Sequence, residues 1–184
     1  MIRAALILLC LAAPARAEAP LPFDLGGSFT LTDQTGTPRS EADPEGRAQL
    51  LFFGYANCLQ ICSAALPLMA DLVDDLAGEF ALRPVMITVD PARDTVEEIG
   101  PPLEYLHPDF VGLTGTKAEL QVAYDAYSVE IKHIFDDPEY GPIYAHGSFI
   151  YLLDGQGAVL SLLPPILSPE QAAEILRARL APAG

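Results

Sequence analysis

Two cysteines one helical turn apart, Cys58 and Cys62, stand in FFGYANCLQICSAALP (Phe52–Pro67), directly behind an apolar run of β type. On a helix, residues i and i+4 share a face, so both sulfurs can turn to one metal ion or close on each other as a disulfide. The partial positive charge of a helix N-terminus favours the thiolate, and in such places cysteine pKa values fall to about 3.5–7.5. The thiolate is the form that binds metals and attacks disulfides. The competing description is a buried structural pair, since free cysteine packs as a small apolar residue.

The third cysteine, Cys10, belongs to a different kind of segment. Arg3 supplies a positive start, Ala4–Ala13 is uninterruptedly apolar, and Ala15-Arg16-Ala17 has the small-x-small form of a cleavage site. The apolar stretch is shorter than the ~20 residues a membrane-spanning helix needs. Leu9 immediately ahead of Cys10 does not suit a lipoprotein signal. The expectation is a signal peptide over residues 1–17 cleaved after Ala17, a leader over 18–24, and one domain over 25–184. That places the protein in the periplasm; the alternative is an uncleaved anchor holding it to the inner membrane, facing the periplasm. In such a compartment a cysteine pair can be a stable disulfide, a redox-active one or a metal site.

Charge narrows the partners. Lys and Arg number 10 against 25 Asp and Glu, a formal net charge of −15. Cleavage would remove Arg3 and Arg16 and no acid, moving it to −17. No basic stripe offsets this, which excludes nucleic acid and argues against anionic membrane. A basic partner, cations or plain solubility remain as readings of the acidity.

The surrounding elements are those of a small α/β domain. FTLTDQTG (Phe29–Gly36) alternates into a turn and predicts a short hairpin. Ala48–Gly54 (AQLLFFG) reads as a central strand buried on both faces. Leu66, Met69, Val73 and Leu76 make a helical stripe with Asp71, Asp74 and Asp75 off it, and Pro67 requires the helix to begin around Cys62 or Ser63. Leu82–Asp90 is the next strand, parallel to the first by its strand–helix–strand order. Further helices are expected over Thr95–Tyr105, from a Thr116–Glu119 capping box to Tyr127, and from Ser168 onward with Ala172, Ile175, Leu176 and Leu180 inward. Strands are expected over Val129–Ile134, Tyr144–Leu153 and Ala158–Leu163, with Phe135–Pro142 a polar connection. The order points to a compact sandwich of thioredoxin type.

A third metal ligand would have to come from a distance. The histidines are His107, His133 and His146. His107 precedes Pro108 and suits a surface turn, His133 lies in a strand near charges, and His146 stands just ahead of the apolar GSFIYLLD (Gly147–Asp154). Any one histidine is more often structural than a ligand, so spacing alone leaves the choice open.

Four blocks in order, FFGYANCLQIC, VDPARDT (Val89–Thr95), FVGLTGT (Phe110–Thr116) and HGSFIYLLD (His146–Asp154), resemble the Sco/SenC family across roughly residues 25–180. The resemblance implies a thioredoxin-like sandwich with a central mixed sheet and an inserted hairpin. It implies copper, Cu(I) or Cu(II), held by Cys58, Cys62 and His146. It also implies delivery of that copper to, or maturation of, the CuA site of cytochrome c oxidase. The partner is then the copper-site subunit of a respiratory oxidase or another copper protein, with a copper donor and a thiol reductant upstream. The donor set agrees: two thiolates and an imidazole suit Cu(I), while structural zinc takes four ligands. Asp90 and Asp94 could orient the site or meet a partner; a helix cap and first-turn charge account equally well for Asp94.

The chain departs from the family at Leu59 and Ser63, where prolines are usual, and the expected cleavage after Ala17 would remove the apolar segment that many members keep as a membrane anchor. Three functions therefore stay in view. A metallochaperone is not an enzyme. A periplasmic thiol–disulfide oxidoreductase using Cys58 and Cys62 as its redox pair would keep client cysteines reduced. A peroxidase of related fold lacks its Pro-x-x-x-Thr-x-x-Cys arrangement around Cys58.

Overall fold

The apolar run AQLLFFG decides the architecture. In the strand Ala48–Gly54 (β3), Leu50 and Phe52 are buried on one face, Leu51 and Phe53 on the other, because successive strand side chains point to opposite sides. A strand apolar on both faces must be covered on both. In this computed structural model, which describes residues 24–56 and 64–180, it is.

Before it come the short hairpin strands β1 (Leu31–Asp33) and β2 (Pro38–Arg39); after it follow α1 (Ala65–Leu76), β4 (Leu82–Thr88), α2 (Gly100–Leu106), β5 (Val111–Thr114) and α3 (Lys117–Ala126). The chain continues through β6 (Lys132–Asp137), β7 (Gly141–Ala145), β8 (Ile150–Leu153), β9 (Val159–Leu163) and α4 (Pro169–Leu180). One sheet runs in the order β2-β1-β5-β4-β3-β8-β9, and β6 with β7 makes a separate two-stranded sheet. β4 is parallel to β3 and to β5, while β8 and β9 return antiparallel. Leu66, Met69 and Leu76 of α1 and Leu176 of α4 cover the Phe52 face. Leu120, Ala123 and Tyr127, together with Phe29, cover the Phe53 face. The domain is thus the mixed-sheet sandwich expected, with β6–β7 as its inserted hairpin.

The elements deviate from expectation where backbone chemistry overrides pattern. The helix expected over Thr95–Tyr105 begins only at Gly100, because Pro101 and Pro102 lack the N–H that an interior helical position must donate and so occupy its first turn. The strand expected over Tyr144–Leu153 is two strands in two sheets, broken across residues 146–149. Likewise the strand expected over Val129–Ile134 runs Lys132–Asp137, so most of Phe135–Pro142 is hairpin rather than connection. Helix α1 is described from Ala65, with Pro67 in its first turn; its expected start at Cys62 or Ser63 falls outside the described residues. The Thr116 capping box is formed as expected, with the side chain accepting from Glu119 N–H and Glu119 accepting from Thr116 N–H.

Candidate metal centre

The parallel pairing of β3 with β4 brings their carboxyl ends together, Gly54 opposite Thr88. The loops leaving those two strands therefore start side by side, which is where open α/β sheets present their sites. The first passes through Tyr55 and Ala56 into residues 57–63; Cys58 and Cys62 belong to this segment and lie outside the described residues. The second is Val89–Ile99, and its Val89 N–H donates to the Gly54 carbonyl at 2.7 Å.

Asp94 fastens the second loop to the first. Its Oδ2 accepts from the Ala56 N–H at 3.0 Å and from the Thr88 hydroxyl at 2.6 Å. The same hydroxyl accepts from the Asp90 N–H at 2.9 Å. Asp94 is fully buried, and burial pushes its carboxyl pKa up, against the opposing pull of the Thr88 and Ala56 hydrogen bonds. Its Oδ1 is buried with no hydrogen-bond partner among the described residues. The helix-cap reading of Asp94 is overturned, since the next helix begins six residues later at Gly100. The carboxylate instead holds the backbone two residues before Cys58.

Asp90 has a different task. It is buried and accepts from Nε of Arg93. The remaining guanidinium nitrogens of Arg93 donate to the Tyr140 and Pro142 carbonyls of the hairpin, the latter at 3.1 Å. The guanidinium carbon also lies 5.5 Å from the centre of the Tyr55 ring, a cation–π contact. One side chain thus ties the loop after β4, the hairpin and the approach to the cysteines. Sequence reading passed over Arg93, and nothing local to VDPARDT signals partners almost fifty residues away.

The hairpin matters because β7 leads directly to His146. The imidazole stands edge-on to Phe52 and Tyr55, with ring centres 5.8 and 6.0 Å apart. Its Nδ1 donates to the Gly147 carbonyl at 2.9 Å, so in the neutral ring the lone pair is on Nε2. Tyr55 also meets Tyr144 of β7, at 6.2 Å. The half-buried histidine is therefore packed against the two aromatic residues through which the chain enters the cysteine segment. His107 and His133 are elsewhere: His107 ends α2 and meets Asp74 at 3.3 Å, and His133 meets Asp136 on the hairpin at 3.0 Å. Among the described residues no group of three His, Cys, Asp or Glu could hold a metal.

Residues 17–181 match the family model SCO1/SenC. The chain belongs to the SCO1/SenC family. It is 34% identical over 157 residues to the SCO2-like protein of Rickettsia conorii, covering 83% of this chain and 76% of that protein. It is also 34% identical over 158 residues to the mitochondrial SCO2 homolog of Homo sapiens, covering 84% and 59%. Among solved structures it is similar to copper-bound ScoI of Bradyrhizobium japonicum, with a TM-score of 0.71, 30% identity and coverage of 84% and 99%. It is likewise similar to copper-bound yeast Sco1, with a TM-score of 0.77, 28% identity and coverage of 86% and 90%.

In this SCO1/SenC chain Arg93 is expected to stiffen the centre. Arg93→Met removes the fork to the two hairpin carbonyls and leaves Asp90 buried without its cation. Amide exchange across β7 in the metal-free protein should rise about 10-fold, the equivalent of one or two net hydrogen bonds. Lysine should not restore it, because an ammonium cannot reproduce the planar fork. Hydrogen-exchange mass spectrometry checks both outcomes.

Proposed function

We propose that this chain is an exported copper carrier acting in cytochrome c oxidase assembly, holding the ion through Cys58, Cys62 and His146 and passing it to the CuA site. The observation that carries the reading is the packing of His146 on Phe52 and Tyr55. It brings a nitrogen donor beside the strand end that leads into both thiols, across more than eighty residues of chain. Two thiolates and an imidazole form a soft donor set of low coordination number, suited to Cu(I). The copper-bound relatives support copper as the ion, and membership of the Sco family, described for the BsSco structure as one of cytochrome c oxidase assembly proteins, supports the oxidase as the destination. Oxidation of the cysteines to a disulfide would withdraw two donors together, making loading conditional on their reduction.

The test is a competition titration of the reduced protein with Cu(I). One tight site per chain is expected, and it should largely disappear in Cys58→Ala and in Cys62→Ala. Unchanged affinity in either variant would refute the ligand set. A thiol–disulfide oxidoreductase is the second reading, supported by the same two cysteines.

Export by a cleaved signal is part of the proposal. No helix among the described residues is long and apolar enough to cross a membrane. Intact-mass analysis of periplasmic protein should find Glu18 as the first residue. Met1 retained in a membrane fraction would instead identify the leading segment as an anchor.

A further inference from the structure

The end of the sheet that carries His146 is also where the described chain exposes most of its large apolar side chains. Ile134, Phe135, Phe149 and Ile166 are 50, 49, 45 and 90% exposed. Topology gathers them. β8 runs antiparallel to β3, and β9 antiparallel to β8 with Leu163 opposite Ile150. Phe149 just before β8 and Ile166 shortly after β9 therefore leave the sheet together, at the carboxyl end of β3. Ile134 and Phe135 lie on the hairpin whose second strand ends at Ala145, one residue before His146. Elsewhere the described residues expose Val122 on α3, and Tyr105 with Leu106 at the end of α2. That helix runs back to the opposite end of the sheet, where β5 begins parallel to β4. Single exposed apolar residues need no explanation, but several around one site mark a surface that a partner covers.

Position singles out the face; charge decides what fits it. Residues 129–149, the hairpin and the step into β8, contain Glu130, Asp136, Asp137 and Glu139 against Lys132, a formal charge of −3. Asp136 meets His133, and Asp137 accepts from the N–H groups of Glu139 and Tyr140 in its own turn, so neither is matched by a fixed positive charge. The neighbouring segments do not offset the balance. In the loop after β4, Arg93 and Asp90 cancel, and Asp94, Glu97 and Glu98 have no further cation beside them. On the α3 side Lys117 is countered by Asp125, and residues 164–170 hold Glu170 and no cation. The cysteine segment, residues 57–63, contains no charged residue. Apolar side chains around the site thus stand in an anionic field, within a chain of formal net charge −15. That field repels a second copy of the chain and an anionic membrane, and draws a cationic surface.

We infer that this face docks a partner protein presenting an apolar patch ringed by lysine and arginine. Ile134, Phe135, Phe149 and Ile166 supply the dry centre of the contact and the hairpin carboxylates its rim, the usual division within protein interfaces. The rim selects the sign of the partner and speeds encounter, while the apolar centre holds it. Arg93 ties the hairpin to the loop after β4, and Tyr144 meets Tyr55, so a docked partner bears on the residues that carry His146. That the partner is the protein receiving the metal rests on the copper-carrier reading; its charge and apolar character do not.

The test titrates metal-free, reduced, ¹⁵N-labelled protein with acetyl-Lys-Leu-Lys-Phe-Lys-Leu-Lys-amide. Two counterparts carry Glu in place of every Lys, or Ser in place of Leu and Phe. Saturable shifts are expected at Ile134, Phe135, Phe149 and Ile166. The parent peptide should bind at least about 5-fold tighter than either counterpart, and its advantage over the Glu peptide should shrink with added salt. In the variant Phe135→Ser, Phe149→Ser, the parent peptide should fall to the level of the Ser peptide. In Asp136→Asn, Glu139→Gln its lead over the Glu peptide should narrow. All four substituted side chains are exposed, and amide spectra matching wild type away from them show that both variants are folded. Equal affinity for the parent and either counterpart overturns the inference. So do unchanged binding in the phenylalanine variant, shifts confined elsewhere, or no saturable shift by about 1 mM. Two controls address other occupants: sedimentation of the protein alone as a dimer, or flotation with phosphatidylcholine vesicles, either one abolished by Phe135→Ser, Phe149→Ser. The first would assign the face to a second copy and the second to a membrane, and each would overturn docking of a cationic protein. None of these readouts involves copper, so this inference and the carrier reading fail independently.

Discussion

His146→Ala is expected to lower copper affinity by well over the ~10–100-fold that follows loss of an outer-shell partner, while the Cys58–Cys62 pair still oxidises and reduces reversibly. The two properties separate because disulfide exchange requires an attacking thiolate and a leaving one, and no imidazole. Cysteine variants cannot make this distinction, since both functions use both sulfurs. The ring also packs edge-on against Phe52 and Tyr55. Losing such contacts costs about 0.5–1.5 kcal/mol, small enough for the domain to stay folded. Cu(I) competition and a thiol redox titration on the same protein measure the two properties. Assembly of a copper oxidase at limiting copper gives the cellular answer. Normal assembly with the histidine variant, alongside failure of both cysteine variants, would make the protein a reductant rather than a carrier.

Asp94→Ala should destabilise the metal-free protein by about 3–5 kcal/mol, since it strands two buried donors, the Ala56 N–H and the Thr88 hydroxyl, at about 1–3 kcal/mol each, and leaves a cavity. Asp94→Asn should lie between this variant and wild type, because one carbonyl oxygen can still accept both hydrogen bonds. The carboxyl also imposes a pH signature. Burial raises its native pKa, so the folded state holds this proton more tightly than the unfolded chain does. Stability from this group is therefore fully present below the ordinary aspartate pKa of about 3.9. It declines as pH rises from there through the raised native value. Asparagine has no such dependence, so the advantage of wild type over Asp94→Asn should narrow with rising pH. Denaturant midpoints of the two proteins across that range check the sign; a widening gap would contradict it.

Much of this molecule was legible because its signals are local. Alternation within AQLLFFG puts Leu50 and Phe52 opposite Leu51 and Phe53 whatever the rest of the chain does, and a strand apolar on both faces demands cover on both. The Thr116–Glu119 capping box closes within a single turn and needs no distant partner. Cys58 and Cys62 announce thiolate chemistry by residue type and spacing, and four ordered sequence blocks were enough to identify the family. What failed to be legible depended on partners far along the chain or on a change of sheet. Tyr144–Leu153 reads as one apolar strand, because a run of β-forming residues does not record which sheet each half joins; the break is what leaves His146 between β7 and β8. Asp94 has the local look of a helix cap, and only the parallel register of β3 with β4 gives it Ala56 to hold. Arg93 is one residue in a motif until the hairpin folds back and offers it the carbonyls of Tyr140 and Pro142. Residue types and short spacings determined the available chemistry; long-range pairing decided which groups meet, because the free energy of those contacts exists only once distant segments have been brought together.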